Sequence, residues 1–226
     1  MLLIYTFKKI VKASHLLKME AVIKRLAFKI KYIIPFFLLS TASINNSLTE
    51  VEKISFNIIN KGTNIGFINV EKLTSEETTT YVVDSNVNTK IVLNFRAYGK
   101  EKSIYKEDIL IYSSIYRKLN NKVKVNQSLS FDNGKYYLNQ SDKIEMLNMD
   151  IITRNLVTLF FFEPIGINTI YCDKQNKMLN ISPLGQGMYK VIFSKNSYNI
   201  FHYENGKCTL IEIEGSFFKV KLIPNA

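Results

Sequence analysis

Histidine is scarce in this chain. Of 226 residues only two are His, and His15 belongs to the N-terminal stretch, which leaves His202 alone for the remainder. That excludes a metal centre built on several imidazoles, and it makes any Ser-His-Asp arrangement rest wholly on His202. No G-x-S-x-G accompanies it. The residue sits in F-H-Y-E, one position inside a strand end, where a hydrogen-bonded structural histidine is the expected reading. Gly-rich phosphate loops, EF-hands and Cys-x-x-Cys pairs are likewise missing. Cysteine is confined to Cys172 and Cys208. Tryptophan does not occur at all.

The acidic residues give no catalytic spacing either. Glu212 and Glu214 alternate with Ile211 and Ile213, which puts both carboxylates on one face of a strand. That arrangement can serve acid-base chemistry, but a polar face turned to solvent explains it as well and is the commoner case. Glu76-Glu77 and Glu107-Asp108 fall where turns are expected and read as solvated loops. With no cofactor or metal motif, the sequence predicts a non-enzymatic protein.

A net charge of +11 suggests an acidic partner until its distribution is considered. Eight Lys or Arg against one acid lie in residues 1 to 43, so the rest carries only about +4. Its basic residues are interspersed with acids, and nucleic-acid binding is not expected.

The leader answers for the excess. Lys24 to Lys31 is cationic, Tyr32 to Leu39 is apolar, and Ser40-Thr41-Ala42-Ser43 supplies the small side chains that a signal peptidase reads. The apolar stretch is well short of the ~18 to 20 residues that cross a bilayer as a helix. We therefore expect residues 1 to 43 to be an N-terminal extension plus signal peptide that targets rather than anchors, with cleavage after Ala42 or Ser43. The alternative is an uncleaved helix packed on the body or on a membrane surface. Met19 would begin a leader of ordinary length. Membrane contact is expected only through this segment.

From residue 44 onward the sequence predicts one β-rich domain. Ile54, Phe56 and Ile58 alternate with Ser55 and Asn57. Similar rows follow at Ile91, Leu93, Phe95 and Ala97, at Leu110, Tyr112, Ser114 and Tyr116, and at Val123, Val125, Gln127, Leu129 and Phe131. Asn133-Gly134 and Asn205-Gly206 each supply the positive φ angles of a tight hairpin. Ten or more strands in one sheet must curl or close, because a flat sheet leaves long edges and an uncovered apolar face.

One segment interrupts the alternation. M-D-I-I-T-R-N-L-V-T-L-F-F-F-E-P, residues 149 to 164, reads as a short buried α-helix with Asp150 as N-cap and Pro164 as stop. Ile152, Leu156, Leu159 and Phe160 share its face, with Val157 and Phe161 on the shoulder. An apolar helix of this kind belongs on the concave side of the sheet, either as a plug of the core or as the wall of a ligand cavity. The lining residues expected for a cavity are Leu156, Leu159, Phe160 and Phe161, with Phe95 and Phe131 from the sheet.

Cys172 and Cys208 can pair if the protein is exported and if their Cβ atoms approach within about 4.5 Å. Otherwise they are two small apolar side chains buried on separate strands.

The segments N-K-G-T-N-I-G (60 to 66), F-F-F-E-P (160 to 164) and H-Y-E-N-G-K-C-T-L-I-E-I (202 to 213), with F-F-K-V-K-L after them, resemble a family of exported proteins, mostly from Bacteroidetes, catalogued as domain of unknown function 6134. The resemblance spans about residues 50 to 224. It implies a signal peptide followed by one all-β domain with no assigned activity, and Cys208 falls where that family often has Cys. A curved antiparallel sheet around an apolar helix is also similar in architecture to the open barrels of bacterial lipoprotein carriers. The combined expectation is a periplasmic or cell-envelope protein that binds a lipid or other hydrophobic small molecule. A protein-protein interaction or structural module of the envelope is the alternative.

Overall fold

The computed structural model describes residues 49–89, 95–215 and 218–225. The expected leader, with its start and cleavage site, lies outside them, as do the Ile91 and Leu93 positions and the side chain of Phe95.

Fourteen strands follow one another: β1 (Glu50–Asn60), β2 (Thr63–Thr74), β3 (Thr78–Thr89), β4 (Phe95–Lys106), β5 (Ile109–Leu119), β6 (Lys122–Asp132), β7 (Lys135–Gln140), β8 (Lys143–Leu147), β9 (Thr169–Cys172), β10 (Lys177–Gly185), β11 (Met188–Ser194), β12 (Ser197–Glu204), β13 (Lys207–Gly215) and β14 (Phe218–Pro224). All belong to one antiparallel sheet in the order β8-β7-β6-β5-β4-β3-β2-β1-β14-β13-β12-β11-β10-β9. Two meanders are thus joined where β1 pairs with β14, Phe56 facing Pro224 and Ile58 facing Leu222.

Local chemistry sets the reversals. Asn133 and Gly134 have φ of 49° and 76°, and Asn205 and Gly206 have 52° and 76°, the two consecutive positive values that a two-residue hairpin requires. Glu107 and Asp108 also turn the chain, as the sequence indicates.

The sheet curls without closing. Tyr171 on β9, at one end of the strand order, packs in a cluster with Leu110, Leu129, Tyr136 and Leu138 from β5, β6 and β7. Only a sheet bent back on itself brings those strands together. Edges β8 and β9 remain unpaired with each other. The concave side holds the core: Phe56, Ile170, Val191, Phe201, Ile211 and Leu222 are all at most 2% exposed.

The strap between β8 and β9 departs from expectation. It contains no α-helix, only a five-residue 3-10 turn, Leu156–Phe160, whose N-cap is Asn155 rather than Asp150. Residues ahead of the turn run extended because their backbone groups are taken elsewhere. The Leu110 amide donates to the Ile152 carbonyl at 2.9 Å, and the Tyr171 amide to the Arg154 carbonyl at 3.2 Å. The Ile152 amide donates to the Tyr136 hydroxyl at 3.0 Å. A helix would have to claim those same groups, and the β-branched run Ile151-Ile152-Thr153 disfavours it further. The turn is nonetheless buried through Val157, Thr158 and Leu159.

Leu110, Tyr112, Ser114 and Tyr116 lie together on one strand, β5, as expected, with a bulge where the register shifts opposite Ile104 and Tyr105. Beyond that bulge the inward row is Ser113, Ile115 and Arg117.

Candidate functional site

The curled sheet holds a half-open cavity of about 490 Å³, within the ~300–1,000 Å³ usual for small-molecule sites. Its apolar wall comes from Leu156, Val157 and Phe160 of the strap and from Ile115, Phe201 and Leu222 of the sheet. Strand alternation puts these sheet residues inside. The polar end lies at the turns following β9 and β11, where exposed Lys174 and Ser194 form part of the rim.

Between wall and rim sits a charged cluster. Arg117 Nη2 donates to Glu101 Oε1, and Asp173 lines the same space. Glu101 faces Ile115 across the β4–β5 pair, and Arg117 faces Gly99, so both charged side chains project inward with their strands' core rows. Glu101's carboxylate holds the Arg117 guanidinium protonated even more firmly than usual, against the opposing pull of burial. Burial pushes the Asp173 carboxyl up to about 6, with the Glu101 charge reinforcing the shift and the hydrogen bond from Asn155 opposing it; Asp173 Oδ1 is buried without a partner.

A buried polar network secures this arrangement from below. Asn155 is 0% exposed; its Nδ2 donates to Ser103 Oγ and to Asp173 Oδ2, each at 2.8 Å, while its Oδ1 accepts from the Tyr105 hydroxyl at 2.8 Å. Desolvation drives the Tyr105 phenol well above its ordinary pKa, keeping it a donor. On the other side of the strap, Tyr203 donates its hydroxyl to the Leu159 carbonyl at 2.6 Å.

The expected lining residues divide. Leu156 and Phe160 line the cavity. Leu159 does not: it is fully buried in the main core. Phe161 points to the opposite end, packing on Tyr81 at 5.8 Å between ring centroids and lining a second hollow of about 440 Å³ with Lys72 and Arg154. Phe131 stacks near Tyr136 at 4.8 Å in the smaller core cluster. The charged residues Arg117, Glu101 and Asp173 were not among the expected site residues, although alternation from Ser113 and Ile115 puts Arg117 in an inward row.

No disulfide forms. Cys172 and Cys208 are both buried and free. They lie on β9 and β13 with β10, β11 and β12 between, and at about 4.8 Å per strand that separation exceeds the ~3.5–4.5 Å between bridged Cβ atoms. Among the described residues, no group of three His, Cys, Asp or Glu side chains is positioned to hold a metal ion.

His202 and Glu212 flank the inward residues Phe201 and Ile211, so they occupy the outer face. Glu212 pairs with Lys221 at 2.8 Å and Glu214 with Lys219 at 3.3 Å. The hydrogen bond from Lys221 holds Glu212 below the usual carboxylate range. Nε2 of His202 is buried without a partner.

Fold and interior together define a curled, barrel-like all-β protein with an amphipathic interior. The chain belongs to the family described as domain of unknown function DUF6134, whose sequence profile matches residues 56–225. A similar solved structure is the crystal structure of a beta-barrel-like protein of domain of unknown function DUF1849 from Brucella abortus. It is 11% identical, and the match covers 79% of this chain and 97% of that one with a TM-score of 0.49. No curated protein matches the chain.

Proposed function

We propose that this is a non-enzymatic cell-envelope protein, exported by the leader in residues 1 to 43, that takes a lipid or other hydrophobic small molecule into its curled sheet. The observation that carries the reading is the cavity of about 490 Å³ with the partly exposed Leu156, Phe160, Phe193 and Ile213 along its wall. Apolar surface of that kind gains on contact with a hydrocarbon at roughly 25 cal/mol per Å² removed from water. A partly open rim gives the ligand a way in. Native mass spectrometry of protein purified without detergent tests the reading, together with displacement of a neutral environment-sensitive dye such as Nile red. Co-purifying lipid, or dye displaced by added lipid, supports it. Protein free of adducts that neither takes up dye nor yields to lipid rejects it.

One feature favours the alternative of a protein-protein module. Strand β8 is a sheet edge and carries exposed Ile144 (72%) and Met146 (53%). An unpaired edge with apolar side chains suits addition of a partner's strand. Replacing both residues with Lys would abolish partner capture while leaving dye binding intact if that reading holds.

A further inference from the structure

We propose that the ligand is an acid: an amphiphile whose anionic head group is held by Arg117 while its apolar chain lies along Leu156 and Phe160. This deepens the hydrophobic-ligand reading and rests on it. A guanidinium offers five N–H donors, and among the described residues one protein acceptor meets them, Glu101 Oε1 on Nη2. Arg117 lines the cavity, and no other protein acceptor among the described residues takes the remaining donors. Nearly half of the Arg117 side chain, 46%, is accessible, against 21% for Glu101, and Asp173 is 9% exposed. The charge that an entering molecule meets is therefore the cation, although two carboxylates stand behind it.

Three further features agree. Lys174 contributes a second cation at the rim. Gly99 faces Arg117 across the strand pair and supplies no side chain. A Cβ there would lie 2.6 Å from Ser85 Oγ and at an ordinary contact distance, 3.9 Å, from Arg117 Cγ, so the glycine leaves room for the polar Ser85 hydroxyl next to the arginine stem. The apolar wall begins next to this cluster: Ile115, the neighbour of Arg117 in the inward row, lines the cavity together with Phe160. An acid head and a hydrocarbon tail match that sequence of surfaces, and Arg's planar fork suits carboxylate and phosphate oxygens alike. Glu101 is then an internal competitor, occupying one donor until an external anion takes the others.

The test is calorimetric titration of the full chain with four octyl compounds kept below their micelle concentrations: octanoate, octyl phosphate, octyltrimethylammonium and octanol. The inference predicts that at least one anion binds about tenfold or more tighter than the cation, a difference of about 1.4 kcal/mol. Which anion is preferred tells a carboxylic acid from a phosphate ester. Arg117→Gln should erase the anion preference. Because that change leaves Glu101 without its partner and can harm folding, Glu101→Gln supplies the second arm: removing the competitor should tighten anion binding several-fold and leave octanol unchanged. A gain of this kind cannot come from unfolding. Equal or tighter binding of the cation, or weaker anion binding in Glu101→Gln, overturns the head-group assignment while octanol binding keeps the cavity reading in place. Failure of all four compounds to bind overturns both.

Discussion

Asn155 donates through Nδ2 to Asp173 Oδ2 at 2.8 Å, tying the strap to the residue that follows β9. The two are 18 positions apart in the chain and both are buried. The strap cannot be held here by a helix's internal hydrogen bonds, since it has only a single 3-10 turn. Side-chain bonds to the sheet replace them. Asn155→Ala would leave Tyr105, Ser103 and Asp173 each short of a partner. We expect a loss of about 2 to 4 kcal/mol in urea unfolding, and a smaller loss, about 1 kcal/mol, for Ser103→Ala, which removes one bond of the set.

Asp173 makes stability depend on pH. Its folded pKa of about 6 stands above its ordinary value of 3.8, so the folded protein binds the proton more tightly than the unfolded chain. The contribution is therefore fully favourable below about pH 4 and is lost as pH rises through about 6. Glu101 and Arg117, the charged groups across the cavity, act on the same site with opposite signs. Asp173→Asn should remove that downward slope and raise stability at pH 8, by a difference on the order of 2 kcal/mol. Parallel urea titrations at pH 4, 6 and 8 check it, and a variant less stable than the parent at pH 8 contradicts it.

The two thiols should be inert in the folded state. Burial pushes Cys208 up to about 12 and raises Cys172 as well, and the thiolate is the reactive form. Iodoacetamide at pH 7.5 should add to neither cysteine in the native protein and to both in urea, read by intact mass. Migration on a denaturing gel should be the same with and without reductant, as two free thiols require.

Much of this architecture is legible from alternation alone. Phe56 and Ile58 on β1 and Gln127 and Leu129 on β6 are buried as their period of two implies, and both Asn-Gly hairpins turn where the dipeptides stand. The strap was not legible in the same way. Its apolar spacing at Ile152, Leu156 and Leu159 fits a helix, but hydrogen bonds to Tyr136, Leu110 and Tyr171, all distant in sequence, hold it extended. Those partners become visible only once the sheet has curled. The site was half legible for a related reason. Leu156 and Phe160 follow from apolar spacing, whereas Arg117 and Glu101 look like ordinary surface charges until the β-bulge opposite Tyr105 fixes which face of β5 turns inward.

Entry of a ligand into the curled sheet is directly measurable, because the chain has no tryptophan. Phe193→Trp puts a single indole at a position lining the cavity, while Tyr98→Trp puts one at an exposed position beside Tyr116 on the outer face. Titration with octanol should shift the emission of the first to shorter wavelength in a saturable way and leave the second unmoved. An unchanged spectrum for Phe193→Trp, or the same response from both proteins, would contradict it.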